Sequence, residues 1–169
     1  VMTQGTIEFG NTIDGEIKGT LLSALSLLDS DMDRRCPIQI VSTGHSKVMI
    51  GINNRSKLNS LSPDMQQLKM LSDKINCNGY FVFTFDSTNK NILTHGRMFA
   101  PAIGINEDPV TGNANGPLGA YIVHHKLVDY SGNEFRFIAQ QGEAIDRKGQ
   151  MEVIVEINNQ KPTAVKICG

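Results

Sequence analysis

Between residues 14 and 30, apolar side chains recur at Ile17, Leu21, Leu22, Leu25 and Leu28, and this spacing predicts one face of an amphipathic helix. Past Pro37 the period shortens. Ile38-Gln39-Ile40-Val41 is a β-type run that ends at Ser42-Thr43-Gly44-His45, residues 48–52 form a second strand, and Asn53-Asn54 supplies turn residues. Ser62-Pro63-Asp64 signals a helix start, with Ser62 as cap and Pro63 at the first helical position. Met65, Leu68, Met70, Leu71 and Ile75 give that helix its stripe, which ends near Asn78-Gly79. Tyr80-Phe81-Val82-Phe83-Thr84-Phe85 predicts a strand buried on at least one face, residues 86–91 a polar hairpin loop, and residues 92–99 a returning strand that carries His95 and Arg97.

The most distinctive helix follows. Leu118, Ala120, Tyr121, Ile122, Val123 and Leu127 leave little polar surface on it, and a helix apolar on most sides is enclosed by the rest of its domain. Residues 135–139 alternate like a strand, residues 151–157 alternate more strongly, and residues 164–168 form a last short strand. Strands around a nearly all-apolar helix argue for an α+β roll or barrel rather than a doubly wound sheet. No internal repeat, low-complexity tract or linker divides the chain, and 169 residues are enough for one domain with one sizeable core.

Composition narrows the setting. With 40% hydrophobic and 20% charged residues the chain is an ordinary globular sequence, and a net charge of −1 provides no basic surface for nucleic acid or anionic membrane. No apolar run approaches a bilayer span. Cys36, Cys77 and Cys168 are scattered and odd in number, which fits reduced cytoplasmic thiols better than a disulfide framework or a zinc site. The opening Val1-Met2-Thr3-Gln4-Gly5-Thr6 looks like a polar strand lead-in without signal-peptide character, and Val ahead of Met suggests a piece of a longer polypeptide.

Candidate chemistry concentrates in Gly104-Ile105-Asn106-Glu107-Asp108-Pro109-Val110-Thr111-Gly112-Asn113-Ala114-Asn115-Gly116-Pro117. Pro109 fixes a bend, Gly112 and Gly116 permit close approach, and Pro117 in a first turn places the helix start near residues 113–115. Unpaired N–H groups at such a start, together with the positive end of the helix dipole, form an anion site for a substrate carboxylate or an enediolate. Asp108, one bend away, can hold an amine or hydroxyl or take part in proton transfer. The same Gly- and Asn-rich residues also make an ordinary turn. The segment is neither a dinucleotide fingerprint nor a P-loop.

Seven ordered stretches carry a resemblance. Arg97-Met98-Phe99-Ala100-Pro101, Gly104-Ile105, Glu107 through Gly116, and Leu118-Gly119-Ala120-Tyr121 resemble the signature of the PhzF-like isomerases of phenazine biosynthesis. Gln39-Ile40-Val41-Ser42-Thr43-Gly44, Tyr80-Phe81-Val82-Phe83-Thr84, and Gln141-Gly142 followed by Arg147 agree in the same order. The resemblance implies a diaminopimelate-epimerase-like fold of two lobes, each a curved, mostly antiparallel sheet around a central helix, here at about 113–128. The substrate then sits between the lobes. It also implies proton transfer within a small carboxylated substrate, a dihydro-hydroxyanthranilate in the phenazine enzyme, with no metal and no organic cofactor.

By position, Asp108 matches the family's substrate-contacting Asp, and Gly112, Asn113 and Ala114 match the helix start that receives the carboxylate; Thr111, Ser42 and Gly44 join them as substrate-lining candidates. Asn113 stands where the phenazine enzyme has Ser and related epimerases a catalytic Cys. An amide is a poor proton carrier, so a one-base shift suits this chain better than two-base racemisation. The acid/base Glu of the family lies in an amino-terminal lobe, and residues 1–169 correspond to the carboxy-terminal lobe alone, inactive by itself. A homodimer is expected. A non-catalytic carboxylate-binding or dimerisation lobe, or one half of a split enzyme, are the alternative functions. His45 with His95 could form an acid/base pair or be separate surface and core residues; His124-His125 suits a helix end, Glu107 an exposed turn carboxylate or else a second acid beside Asp108, and Arg147 an internal ion pair.

Overall fold

The computed structural model describes residues 1–169. One curled sheet organises it. Its strands are β1 (Met2–Thr3), β2 (Glu8–Thr12), β3 (Gln39–Ser42), β4 (Ser46–Ile52), β5 (Gly79–Thr84), β6 (Thr94–Ala100), β7 (Ile105–Asp108), β8 (Glu134–Gln141), β9 (Gly149–Asn158) and β10 (Lys161–Cys168). They lie in the order β1-β10-β9-β8-β6-β5-β4-β3-β2, with β7 attached to β6. Only β4–β5 and β6–β8 are parallel; every other pairing is antiparallel.

Side-chain alternation divides the interior into two cores. On β5, Phe81 and Phe83 face the concave side, where α4 (Gly112–His124) lies, whereas Tyr80 and Val82 face an outer layer of helices. Those helices are α1 (Gly15–Ala24), α2 (Arg55–Ser60) and α3 (Met65–Ile75). The segment expected to be buried on at least one face is buried on both, which explains its unbroken apolar character. Ala114 to Val123 of α4 are all buried, as the apolar pattern required. Gly119 allows that fit: a Cβ there would stand 2.7 Å from Val153 Cγ1 and 2.9 Å from Val155 Cγ2.

Several local expectations shift. The first helix ends at Ala24, because Ser26 adopts φ 60° and the chain reverses; Leu27 turns inward and Leu28 is left 66% exposed. Asp64, rather than Ser62, caps α3 by accepting from Gln67 N–H, and Pro63 precedes the helix. Asn54 does more than turn the chain, since its side chain accepts from Lys57 N–H and starts α2. The central helix begins earlier and ends earlier than expected. The Thr111 carbonyl accepts from Ala114 and Asn115 N–H, so the helix starts a turn ahead of Pro117, which sits inside it and offers no N–H to the Asn113 carbonyl. No helix is long and apolar enough to cross a membrane.

Candidate active site

β7 is a four-residue strand that brings the chain to Asp108 and then into the turn before α4. What holds it is Arg97, buried on the neighbouring strand β6. Its guanidinium grips Glu107 with two hydrogen bonds, Nη2 to Oε1 at 2.7 Å and Nε to Oε2 at 3.1 Å. Its remaining terminal nitrogen donates to the Leu58 and Leu61 carbonyls at the end of α2, and the group lies 5.0 Å over the Phe99 ring. Glu107 is thus no exposed turn residue: its side chain is 10% exposed and fully committed to Arg97. The reason is pairing by register, since β7 folds back antiparallel on β6 with Asp108 opposite Met98.

Asp108 then sits at the edge of a compact polar network. Its carboxylate accepts from the Thr111 hydroxyl. Gln141, at the end of β8, donates through Nε2 to the Asp108 carbonyl at 2.6 Å and to Thr111 Oγ1 at 2.9 Å. Gln141 Oε1 accepts from Thr111 N–H at 3.0 Å and from Asn115 Nδ2 at 2.9 Å. Asn115 Nδ2 also donates to the Thr111 carbonyl, while its Oδ1 is buried without a partner.

This network decides which donors remain at the helix mouth. Thr111 N–H is taken by Gln141, and Ala114 and Asn115 N–H by the Thr111 carbonyl. Gly112 and Asn113 N–H donate to no protein acceptor, and both residues are only partly buried. Two free amides beside the Asp108 carboxylate can bind one anionic group at the positive end of a 13-residue helix. Ala114 itself is fully buried behind them.

The Ser42-Thr43-Gly44 turn reaches the same helix through Gln4 and Gly5, just after β1. Thr43 Oγ1 donates to Gln4 Oε1, Gly5 N–H donates to the Thr43 carbonyl, and the Gln4 side chain lies against Gly116 so closely that a Cβ there would meet Oε1 at 2.9 Å. Ser42 is buried and accepts from Gly44 N–H, whereas Gly44 is exposed.

Beneath the turn, the β8–β9 hairpin makes its closest approach. Gly142 has φ 87°, and a Cβ there would stand 2.3 Å from the Arg147 carbonyl oxygen and 2.7 Å from that of Pro109. Gly142→Ala is therefore expected to cost about 3 kcal/mol, from left-handed strain plus a backbone clash on both sides. Urea denaturation measures it, and a loss under about 1 kcal/mol would contradict this packing. Arg147 contributes through its backbone; its side chain is exposed and makes no ion pair.

The histidines do not form a pair. His45 is exposed, and His95 is buried against Ser87 Oγ at 2.9 Å, with Nδ1 3.6 Å from Glu143, which also pairs with Arg55. Burial, and then the Arg55 charge, push His95 below its ordinary 6.5, with Glu143 opposing. Burial likewise lowers His124 and His125, which flank the end of α4. Groups that resist protonation when folded bind more protons when unfolded, so they make stability fall as pH drops below 6.5. The urea midpoint is expected to decline between about pH 7 and pH 5, and His95→Gln to flatten that decline. An unchanged slope in His95→Gln would remove His95 from the account. Burial raises the Cys36 thiol to about 12 and raises Cys77 too, which leaves both unreactive at neutral pH. No three His, Cys, Asp or Glu side chains gather as metal ligands would.

Comparison with known proteins adds a decisive match. Residues 11–169 fit the family model described as phenazine biosynthesis-like protein. The chain belongs to the PhzC-PhzF family. It is 60% identical to an uncharacterized isomerase of Clostridium acetobutylicum over 100% of its own length and 56% of that protein's. It is 31% identical to the trans-2,3-dihydro-3-hydroxyanthranilate isomerase of Pseudomonas aeruginosa, over 88% of the chain and 48% of that enzyme. Among solved structures, a PhzF-family phenazine biosynthesis protein of Bacillus anthracis superimposes with a TM-score of 0.84 at 26% identity, covering 98% of this chain and 55% of that one. A hydroxyproline epimerase of Agrobacterium vitis shares the fold at a TM-score of 0.55 and 7% identity over 77% of the chain and 40% of the epimerase. The chain therefore spans about half the length of the curated relatives it matches, and it falls within a family of isomerases with an epimerase-like α+β lobe.

Proposed function

We propose that the chain supplies the substrate-anion half of an inter-lobe site in a cofactor-independent isomerase or epimerase that shifts a proton within a small carboxylated substrate. The observation that carries this reading is the pair of free N–H groups on Gly112 and Asn113 beside the Asp108 carboxylate. The amides hold the substrate carboxylate and stabilise charge that builds on it when the neighbouring C–H loses its proton. Asp108 holds a polar substituent of the substrate, such as an amine or hydroxyl. This reading assigns Thr111, Ser42 and Gly44 to the substrate lining, with Gly44 the exposed member of the three.

The proton carrier comes from a second, amino-terminal lobe, in keeping with the 56% span of the relatives. Asn113 is half-exposed at the mouth, where an amide can donate but does not shuttle a proton. A single base acting from the opposite lobe suits that chemistry.

Solvent-deuterium incorporation into trans-2,3-dihydro-3-hydroxyanthranilate tests the reading, a probe chosen from the named relative. The full-length protein is expected to incorporate label, and residues 1–169 alone are not. Label uptake by the isolated chain at the full-length rate would place the acid/base on this lobe and sink the assignment.

A further inference from the structure

We infer that Gln141 is the positioning residue of this site, the side chain that sets the Asp108–Thr111 turn in its anion-binding shape. The inference rests on the function proposed above for that turn. Gln141 is 2% exposed and uses both ends of its amide on residues of the turn and the helix start. Its two donors fix the Asp108 carbonyl and the Thr111 hydroxyl, and its acceptor fixes Thr111 N–H and Asn115 Nδ2.

Three consequences follow from that geometry. Thr111 Oγ1 accepts from Gln141, so its own proton is directed to the Asp108 carboxylate, and the carboxylate is oriented at second hand. Thr111 N–H is turned inward to Gln141, which leaves the outward donors to Gly112 and Asn113. Asn115 is drawn into the same knot and leaves Oδ1 buried and unpartnered, a desolvation cost that a purely stabilising network would not carry.

The base of Gln141 is rigid as well. It ends β8, paired opposite Gly149 of β9 and Gly96 of β6, and the next residue is Gly142, packed against the Pro109 carbonyl. A flexible turn of Gly, Asn and Pro is thus indexed to the sheet through one amide. No apolar residue of the same volume can do this, because it lacks both donors and acceptor.

The test uses the full-length protein and two variants. Gln141→Met keeps the bulk and removes every hydrogen bond; Gln141→Glu keeps the acceptor and removes the donors. Backbone deuterium exchange over residues 108–115 is followed beside kcat and KM for trans-2,3-dihydro-3-hydroxyanthranilate. Gln141→Met is expected to speed exchange in that segment about tenfold, with β5 and β9 unchanged. It is expected to lower kcat about 100-fold while KM moves far less, the signature of a misplaced group. Gln141→Glu is expected to keep Thr111 amide protection and still lose kcat. Unchanged exchange over 108–115, an equal rise throughout the sheet, or an unchanged kcat with a loosened turn overturns the inference. Wild type and Asp108→Ala run alongside. Absent turnover in the first, or full turnover in the second, defeats the function proposed for the turn, and the exchange data then decide the role of Gln141 by themselves.

Discussion

Asp108→Ala in the two-lobed enzyme proposed above is expected to lower turnover about a thousandfold while unfolding free energy changes by about 1 kcal/mol or less. The asymmetry comes from the place of the carboxylate. Asp108 is half-buried, and its one side-chain partner, the Thr111 hydroxyl, keeps a second contact to Gln141 when the carboxylate is gone. Little packing is lost, whereas the charge proposed to hold the substrate disappears. Asp108→Asn sharpens the point, because it preserves an acceptor for Thr111 and removes only the charge. Turnover and urea denaturation on the same preparations provide the check. Turnover that falls only in proportion to the folded fraction would make Asp108 a structural residue.

The largest effect on stability is expected at Arg97. Arg97→Met should cost about 3–5 kcal/mol, because it strands the Glu107 carboxylate in an apolar setting. The side chains are 8% and 10% exposed, so water cannot replace the lost partner at Glu107. The Leu58 and Leu61 carbonyls lose their donor in the same step. The double variant Arg97→Met with Glu107→Leu is expected to recover much of the loss, because no charge is then left buried. Urea denaturation of both variants measures this, and a single-variant loss below about 1 kcal/mol would show that the pair is solvated. Arg97 also links the end of α2 to β7, so its removal should loosen the approach to Asp108 more than any other part of the sheet.

What the sequence revealed depended on how local the cause was. The apolar run of α4 and the alternation in β9 followed from neighbouring residues, and both appear in the structure. The Gly112–Asn113 helix mouth was visible for the same reason, since Pro, Gly and Asn act within a few positions of themselves. α2 was not visible, because six residues with one buried leucine have too short a period to detect. Glu107 looked like a surface carboxylate because its partner lies ten residues back, on a strand whose register the local pattern does not fix. Gln141 stood among the residues that carry the family resemblance, yet its role depends on atoms 26 to 33 positions away. Only the curled sheet brings them together.

The pairing at the sheet's edge sets an order of assembly. Gly112 packs against Met2 Cε and Ile167 Cγ2, and Met2 is registered opposite Ile167 in the β1–β10 pair. One flank of the α4 mouth is therefore made from strands near opposite ends of the sequence. On the ribosome, the outer helical layer and the middle of the sheet can form while synthesis continues, because their strands are already present. The flank of the mouth cannot exist until β10 has been translated. A nascent chain can thus assemble its outer helical layer before β10 completes the wall around α4 and the flank of the helix mouth.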